Sequence, residues 1–218
     1  GILISLTNET DDFAHINAII KNKTPVVMFD KIAKIVNCSK VVINDRKAAY
    51  DAVTFLIKNG HKKIAHFRGP YTPQNSIDRF LGYKKALEDN NIPINQNLIV
   101  RTDSEDDLKD KIENVFENNT VDGIFALDET DSVAALRIGL KRGYKIPENL
   151  SIIGFADGIL ASRRLSPSLT TVSQHGPEIG ETAAKLLIER LESKEEENPY
   201  KTTVIKTELR ERESTKKL

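Results

Sequence analysis

Apolar residues along this chain recur in two rhythms. Short apolar or β-branched runs read as strands: Ile2–Leu6, Val26–Phe29, Val41–Ile43, Ile64–Phe67, Leu98–Val100, Ile124–Leu127, Ser151–Ile153, Thr170–Val172 and Thr203–Ile205. Between them the apolar positions take helical spacing. Phe13, Ile16, Ile19 and Ile20 form one such stripe, with Thr10 or Asp11 as its cap. Ala49, Ala52, Val53, Leu56 and Ile57 form the cleanest, opened by Asp45 as N-cap and stopped by Gly60. Phe80, Tyr83 and Leu87 share a face within Arg79–Asp89. Leu108, Ile112, Val115 and Phe116 follow a start at Asp103 or Ser104; another helix spans Thr130–Arg142 and stops at Gly143. Ile179, Ala183, Leu186 and Leu187 mark a last helix from Pro177, followed by a charged linker, Glu192–Asn198. Glu211–Leu218 reads as a charged tail.

Strands alternating with helices predict an α/β fold with parallel sheets. The breaks at Gly69–Pro73 and Leu165–Thr171 divide the pattern into two lobes with several chain crossings. Such a fold has an interlobe cleft and can close around a small molecule. The stretch 151–180 carries most of this expectation. It supplies a buried strand closed by Gly154, a loop Phe155–Gly158 at the strand's carboxyl end, and an extended connector toward the other lobe. Ligands bind at the carboxyl ends of strands in open α/β sheets. Helix Thr130–Arg142 has apolar residues on more than one face, which fits either a subunit contact or burial on both sides.

Charge narrows the reading. Lys+Arg and Asp+Glu are 32 each, without the basic excess of a chain that itself grips nucleic acid. The single cysteine, Cys38, excludes an internal disulfide and fits a reducing, cytoplasmic setting. No apolar run approaches the roughly 18 residues of a membrane span. The apolar opening Gly1–Ser5 has no charged leader, and reads as an internal point of a longer protein. There is no phosphate-binding glycine loop, no nucleophile elbow and no metal spacing around His15, His61, His66 or His175. The residues thus point to no catalytic group, no metal and no cofactor. What remains is polar groups at strand ends: Ser5, Asp30, Asp45, Asp128 and Asp157, with Arg79 near a helix start. Arg79 is open to a plain reading, a surface residue or one pairing with Asp78 or Asp103, and to a sharper one, a cationic fork in the cleft. Asp45 is first a helix cap, and Asp157 either stabilises its loop or accepts from a ligand.

The order of motifs resembles a known family. Val42–Asp45, Leu56-Ile57-x-x-Gly60-His61-Lys62-Lys63-Ile64 and Arg79-x-x-Gly82-Tyr83 look like the effector-binding core of lactose/galactose-repressor-type (LacI/GalR) transcription regulators. So do Gly143-x-x-Ile146-Pro147, Ser151–Phe155, Pro167-x-Leu169-Thr170-Thr171-Val172-x-Gln174 and the closing Glu208-Leu209-x-x-Arg212-x-Ser214. The resemblance implies a type I periplasmic-binding-protein-like fold of two Rossmann-like lobes joined by three crossings, near Gly69-Pro70, Ser168–Thr171 and Ser193–Asn198. The N-terminal lobe would be residues 1–69 with about 170–193, and the C-terminal lobe about 70–169 with 194–218. It further implies that the N-terminal lobe is incomplete here, and that a helix-turn-helix headpiece precedes it. The expected partners are a small-molecule effector, sugar or other metabolite, a second copy in a homodimer, and operator DNA reached only through that headpiece. Arg79 matches the family's ligand-binding arginine, and Ser5, Asp45 and Gln174 fall at other cleft positions; with the strand-end residues Asp128, Phe155 and Asp157 they make up the expected ligand set. Two departures stand out: Leu127 replaces an Asn, and Ala156 replaces an Asp, so hydroxyl-binding groups are lost. The alternatives are a periplasmic-type solute receptor of the same fold, and an α/β enzyme using Arg79 as a substrate clamp.

Overall fold

The computed structural model describes residues 1–69, 74–101, 105–158, 164–193 and 199–216, the side chains of 105–107 excepted. Two sheets organise it. The smaller has four parallel strands in the order β1 (Ile2–Ile4), β2 (Val26–Phe29), β3 (Ser39–Ile43) and β9 (Thr202–Ile205). The larger has six. Its order is β10 (Glu208–Arg210), β8 (Thr170–Ser173), β7 (Ser151–Phe155), β6 (Gly123–Ala126), β4 (Ile64–Arg68) and β5 (Ile99–Arg101). Only β10 runs antiparallel, against β8. Strands β4, β6, β7 and β8 are buried at every position, as continuous apolar or β-branched runs covered on both faces should be.

Helices cover the faces. On the smaller sheet, α1 (Ala14–Lys21) packs Ile16 against Val26, Met28, Val36 and Cys38, while α6 (Gly176–Glu192) packs Ile179, Ala183 and Leu186 near Val27, Val41 and Ile205. On the larger sheet, α2 (Asp45–Lys58) and α3 (Gln74–Asp89) share a core with Ile64, Phe125, Ile153 and Phe155. The opposite face carries α4 (Glu105–Asn118) and α5 (Glu129–Lys141). Gly82 makes the α2–α3 contact possible: a Cβ there would lie 2.3 Å from the Arg46 carbonyl oxygen and 2.8 Å from Ala49 Cβ.

Strand pairing differs from the lobe division expected from sequence. β4, expected in the first lobe, lies inside the larger sheet, as does β8; β9, expected in the second lobe, pairs with β3. The chain passes between sheets at Asn44, between β3 and α2; at Gln174–His175, between β8 and α6; and at 206–207, between β9 and β10. Gly69 ends a strand instead. The passages are one or two residues long and carry no Pro or Gly, so no breaker marks them. Residue 70 and residues 194–198, where two crossings were expected, lie outside the described residues, as do Asp103 and Ser104.

Three local expectations also change. Asn44, not Asp45, caps α2, its side chain accepting from Lys47 N at 3.0 Å. Gly154 does not end β7, which runs to Phe155; it is small because a Cβ there would collide with Ser132 Oγ on α5. The C-terminal segment is no free tail. Ser214 Oγ accepts from Thr170 N at 2.8 Å and donates to Ile152 O at 2.7 Å, and Ser214 and Thr215 are buried. As for α5, its apolar residues Val133, Ala135, Leu136 and Ile138 are buried within this chain, leaving Leu140 exposed.

Candidate functional site

Five groups meet where strands of the larger sheet end and two crossings begin. Arg79 is in the second turn of α3, because the helix starts five residues earlier at Gln74, and its side chain is buried. Its Nε–H donates to Asp45 Oδ1 at 2.7 Å, Nη1 to the Leu127 carbonyl at 2.6 Å, and Nη2 to Gln174 Oε1 at 2.8 Å. The guanidinium lies over Phe155, its Cζ 3.6 Å from the ring centroid. Phe155 closes β7, Leu127 follows β6, Gln174 follows β8, and Asp45 opens α2. A planar fork with three directed bonds and an aromatic backing is a fixed cation, suited to gripping a small polar molecule. Since Asn44 takes the cap, the Asp45 carboxylate is free to pair with Arg79.

The electrostatics follow from burial. Removal from water pushes the Asp45 carboxyl above its ordinary value, and the adjoining Arg79 pulls the other way. Behind the site, His66 on β4 stacks on Tyr83 and Phe125, each ring 4.9 Å away, and its Nδ1 lies 2.9 Å from the Phe125 carbonyl. Burial holds this imidazole neutral, down at about 3, so Nδ1–H is the donor. Asp131, in the first turn of α5, is likewise buried; loss of solvation and then the neighbouring Asp128 push it up to about 8. Its Oδ2 has no hydrogen-bond partner among the described residues.

The structure places the expected ligand set unevenly. Arg79, Asp45, Phe155 and Gln174 converge. Asp128 is the N-cap of α5, accepting from Asp131 N at 3.0 Å. Asp157 binds its own loop and the nearby crossing: its carboxylate accepts from the Ser173 hydroxyl and from the Gln174 and Gly176 amides. Ser5 lies just past β1 on the smaller sheet and is exposed. Asp30, at the end of β2, has a left-handed backbone with φ 55° and donates its N–H to Val41 O. Of the pairings considered for Arg79, Asp78 instead binds Lys34 and Gln74, and Asp103 lies outside the described residues.

Sequence reasoning missed one contributor, Leu127, and two buried polar neighbours, Asn75 and Ser76. Leu127 was noted for a lost side-chain amide, yet its carbonyl holds Arg79, and any residue type supplies a carbonyl. Its side chain is spent against Gly69, where a Cβ would come within 2.6 Å of Leu127 Cδ2. Asn75 and Ser76 are buried polar residues one turn before Arg79, and Ser76 Oγ has no hydrogen-bond partner among the described residues. Three polar residues at helical positions i, i+1 and i+4 on a buried face were the available signal. Among the described residues no group of three metal-binding side chains forms, and no helix is long and apolar enough to cross a membrane.

Comparison with known proteins gives one family. Residues 53–215 match the periplasmic binding protein-like domain. The transcriptional regulator DegA of Bacillus subtilis is 31% identical over 182 residues, 83% of this chain and 54% of DegA. The ribose operon repressor of Halalkalibacterium halodurans is 33% identical over 196 residues, 88% of this chain and 56% of that repressor. A solved LacI family transcriptional regulator from Enterococcus faecium, with bound ribose, superposes with a TM-score of 0.86 at 28% identity, covering 98% of this chain and 78% of that one. The chain therefore spans little more than half the length of these curated relatives.

Proposed function

We propose, from the premise that this chain belongs to the periplasmic binding protein-like domain family in its LacI-type form, that it is the effector-sensing core of a transcription regulator. A small molecule enters between the lobes and is held at Arg79. Its binding biases the lobe arrangement, and two copies pass that bias to DNA-binding headpieces carried outside these 218 residues. The protein works in the cytoplasm, where its DNA is, and carries out no catalysis. The observation that carries this reading is the guanidinium of Arg79, joined to Asp45 and Gln174 beside two of the three crossings. A ligand that bonds the remaining N–H groups of Arg79 acts directly on the segments that must move. Arg79, Asp45, Phe155 and Gln174 form the ligand contact set, with Ser5 facing from the other lobe; Asp128 and Asp157 hold the frame.

The effector is a sugar or another small metabolite. Leu127 and Ala156 offer no side-chain hydrogen bond to hydroxyls, which favours a ligand with a group that Arg79 itself can satisfy. The reading as a solute carrier loses ground because the relatives compared are transcription regulators. The test is operator binding by the full-length protein across a metabolite panel, with thermal shift identifying binders. The expected result is one metabolite that raises the melting temperature and changes operator affinity at least about fivefold, the low end of ordinary coupling. No change in operator affinity with any binder overturns the proposal.

A further inference from the structure

The second crossing is held by one carboxylate. Asp157 stands on the loop after β7, in the larger-sheet lobe. Its Oδ1 accepts from the Ser173 hydroxyl and, at 3.2 Å, from Gln174 N; its Oδ2 accepts from Gln174 N at 3.0 Å and from Gly176 N at 3.3 Å. The Arg210 guanidinium of β10 stands 3.9 Å away. Positions 173, 174 and 176 are thus tied to a single group where β8 ends and α6 begins. His175, between them, has a left-handed backbone with φ 53° and ψ 51°. A residue with a Cβ keeps that conformation only where its surroundings impose it. The amides of 174 and 176, turned together onto one carboxylate, are such an imposition. Ionised acceptors make the stronger hydrogen bonds, and an amide in place of the carboxylate would offer one acceptor oxygen where two are used.

The consequence lies one side chain further on. With its backbone held by Asp157, Gln174 turns Oε1 onto Arg79 Nη2 at 2.8 Å. We propose that Asp157 is a positioning residue: by pinning the second crossing it sets where Gln174 meets Arg79, and so the geometry in which the site receives its ligand. The proposal rests on Arg79 being the ligand-gripping group, and it moves Asp157 from ligand contact to hinge pin. The pin lies in the larger-sheet lobe and what it pins leads into the smaller, so it fixes one of the three passages that a change of lobe angle must involve.

The test needs no effector. Asp157→Asn, Asp157→Ala and Gln174→Ala are made in the full chain, and hydrogen exchange is followed by NMR at the backbone amides of Gln174 and Gly176 and at Arg79 Nε–H. In Asp157→Ala both amides should exchange at least about tenfold faster, the scale set by losing hydrogen bonds to a charged group. Arg79 Nε–H should also shift and exchange faster, though Asp157 does not touch it. Asp157→Asn should fall between, and it carries the same readouts if the alanine variant does not fold. Gln174→Ala should disturb Arg79 while leaving the Gly176 amide protected. If the amides lose protection while the Arg79 signal stays put, Asp157 is only a cap for α6 and the proposal is wrong; unchanged exchange throughout also overturns it. Should the Arg79 signal move as expected while no metabolite binds, the effector reading fails and the pin stands.

Discussion

At the scale of single residues, burial decides which charges matter. Arg79 and Asp45 are paired at 2.7 Å with side chains 3% and 8% exposed, whereas Lys47 and Asp51, at a similar distance, are 67% and 51% exposed. Removing one partner of a buried pair strands the other, at a cost of about 3–5 kcal/mol. An exposed helix pair is worth only about 0.3–0.5 kcal/mol. In urea denaturation, Asp45→Ala should therefore lose several kcal/mol and Lys47→Ala almost none. The double variant Asp45→Ala/Arg79→Met should recover much of the loss, since no buried charge then lacks its partner; a purely additive result would show that the pair is not coupled. Two buried titrating groups oppose each other. His66, at about 3 when folded, takes its proton first in the unfolded chain, so its contribution is complete above about pH 6.5 and is lost as pH falls toward 3. Asp131, at about 8 when folded, takes its proton first in the folded chain, so its contribution is present below about pH 4 and is lost as pH rises toward 8. Between pH 6.5 and 5 the two slopes cancel. Asp131→Asn should unmask the histidine: that variant should lose about 2 kcal/mol over this interval while the parent chain changes little. Equal pH profiles for the two would refute the assignment.

At the scale of elements, α3 is where packing and the proposed site meet. Its residue 82 lies against the α2 backbone, and Arg79 is one turn earlier on the same helix. Gly82→Ala has to push α3 off α2, because the obstructing atom is the Arg46 carbonyl, which cannot rotate away as a side chain could. The expected cost is about 1–3 kcal/mol by denaturation midpoint, together with weaker effector binding as Arg79 moves; a neutral effect would mean that the helices are not so closely packed. Most of these elements were legible beforehand. The stripe Ala49–Ile57 and the stop at Gly60, with φ 91°, were read from spacing alone. The start of α2 was misread by one residue because Asn and Asp are equally good caps. That single position separates a structural Asp45 from one that holds the site arginine. The buried Ser214 was invisible for another reason: its hydroxyl satisfies the backbones of two strands, and a hydropathy pattern counts it as exposed.

At the scale of the whole molecule, two sheets are linked among the described residues by three short passages, and Arg79 is bonded beside two of them. A ligand that bridges the lobes should narrow their distribution. Once a binder is found, X-ray scattering of the ligand-saturated chain should show a smaller radius of gyration, and at one hundred times Kd the fold should gain about 2.7 kcal/mol. Stabilisation without compaction would locate binding within one lobe and argue against closure.

Local rules were enough for the alternation of strands and helices and the family resemblance carried by short motifs in order. These depend on neighbours within a turn or a strand, where periodicity and capping act. Membership of a sheet does not. β4 and β9 read equally well in either lobe, because the residues of a parallel strand do not say which strand it pairs with. Only the folded chain decided that β4 sits inside the larger sheet and β9 beside β3, and therefore where the crossings fall. Only the fold, too, could bring Asp45, Arg79, Leu127 and Gln174 together: contacts across 34 to 95 residues are set by strand order, which no local pattern encodes.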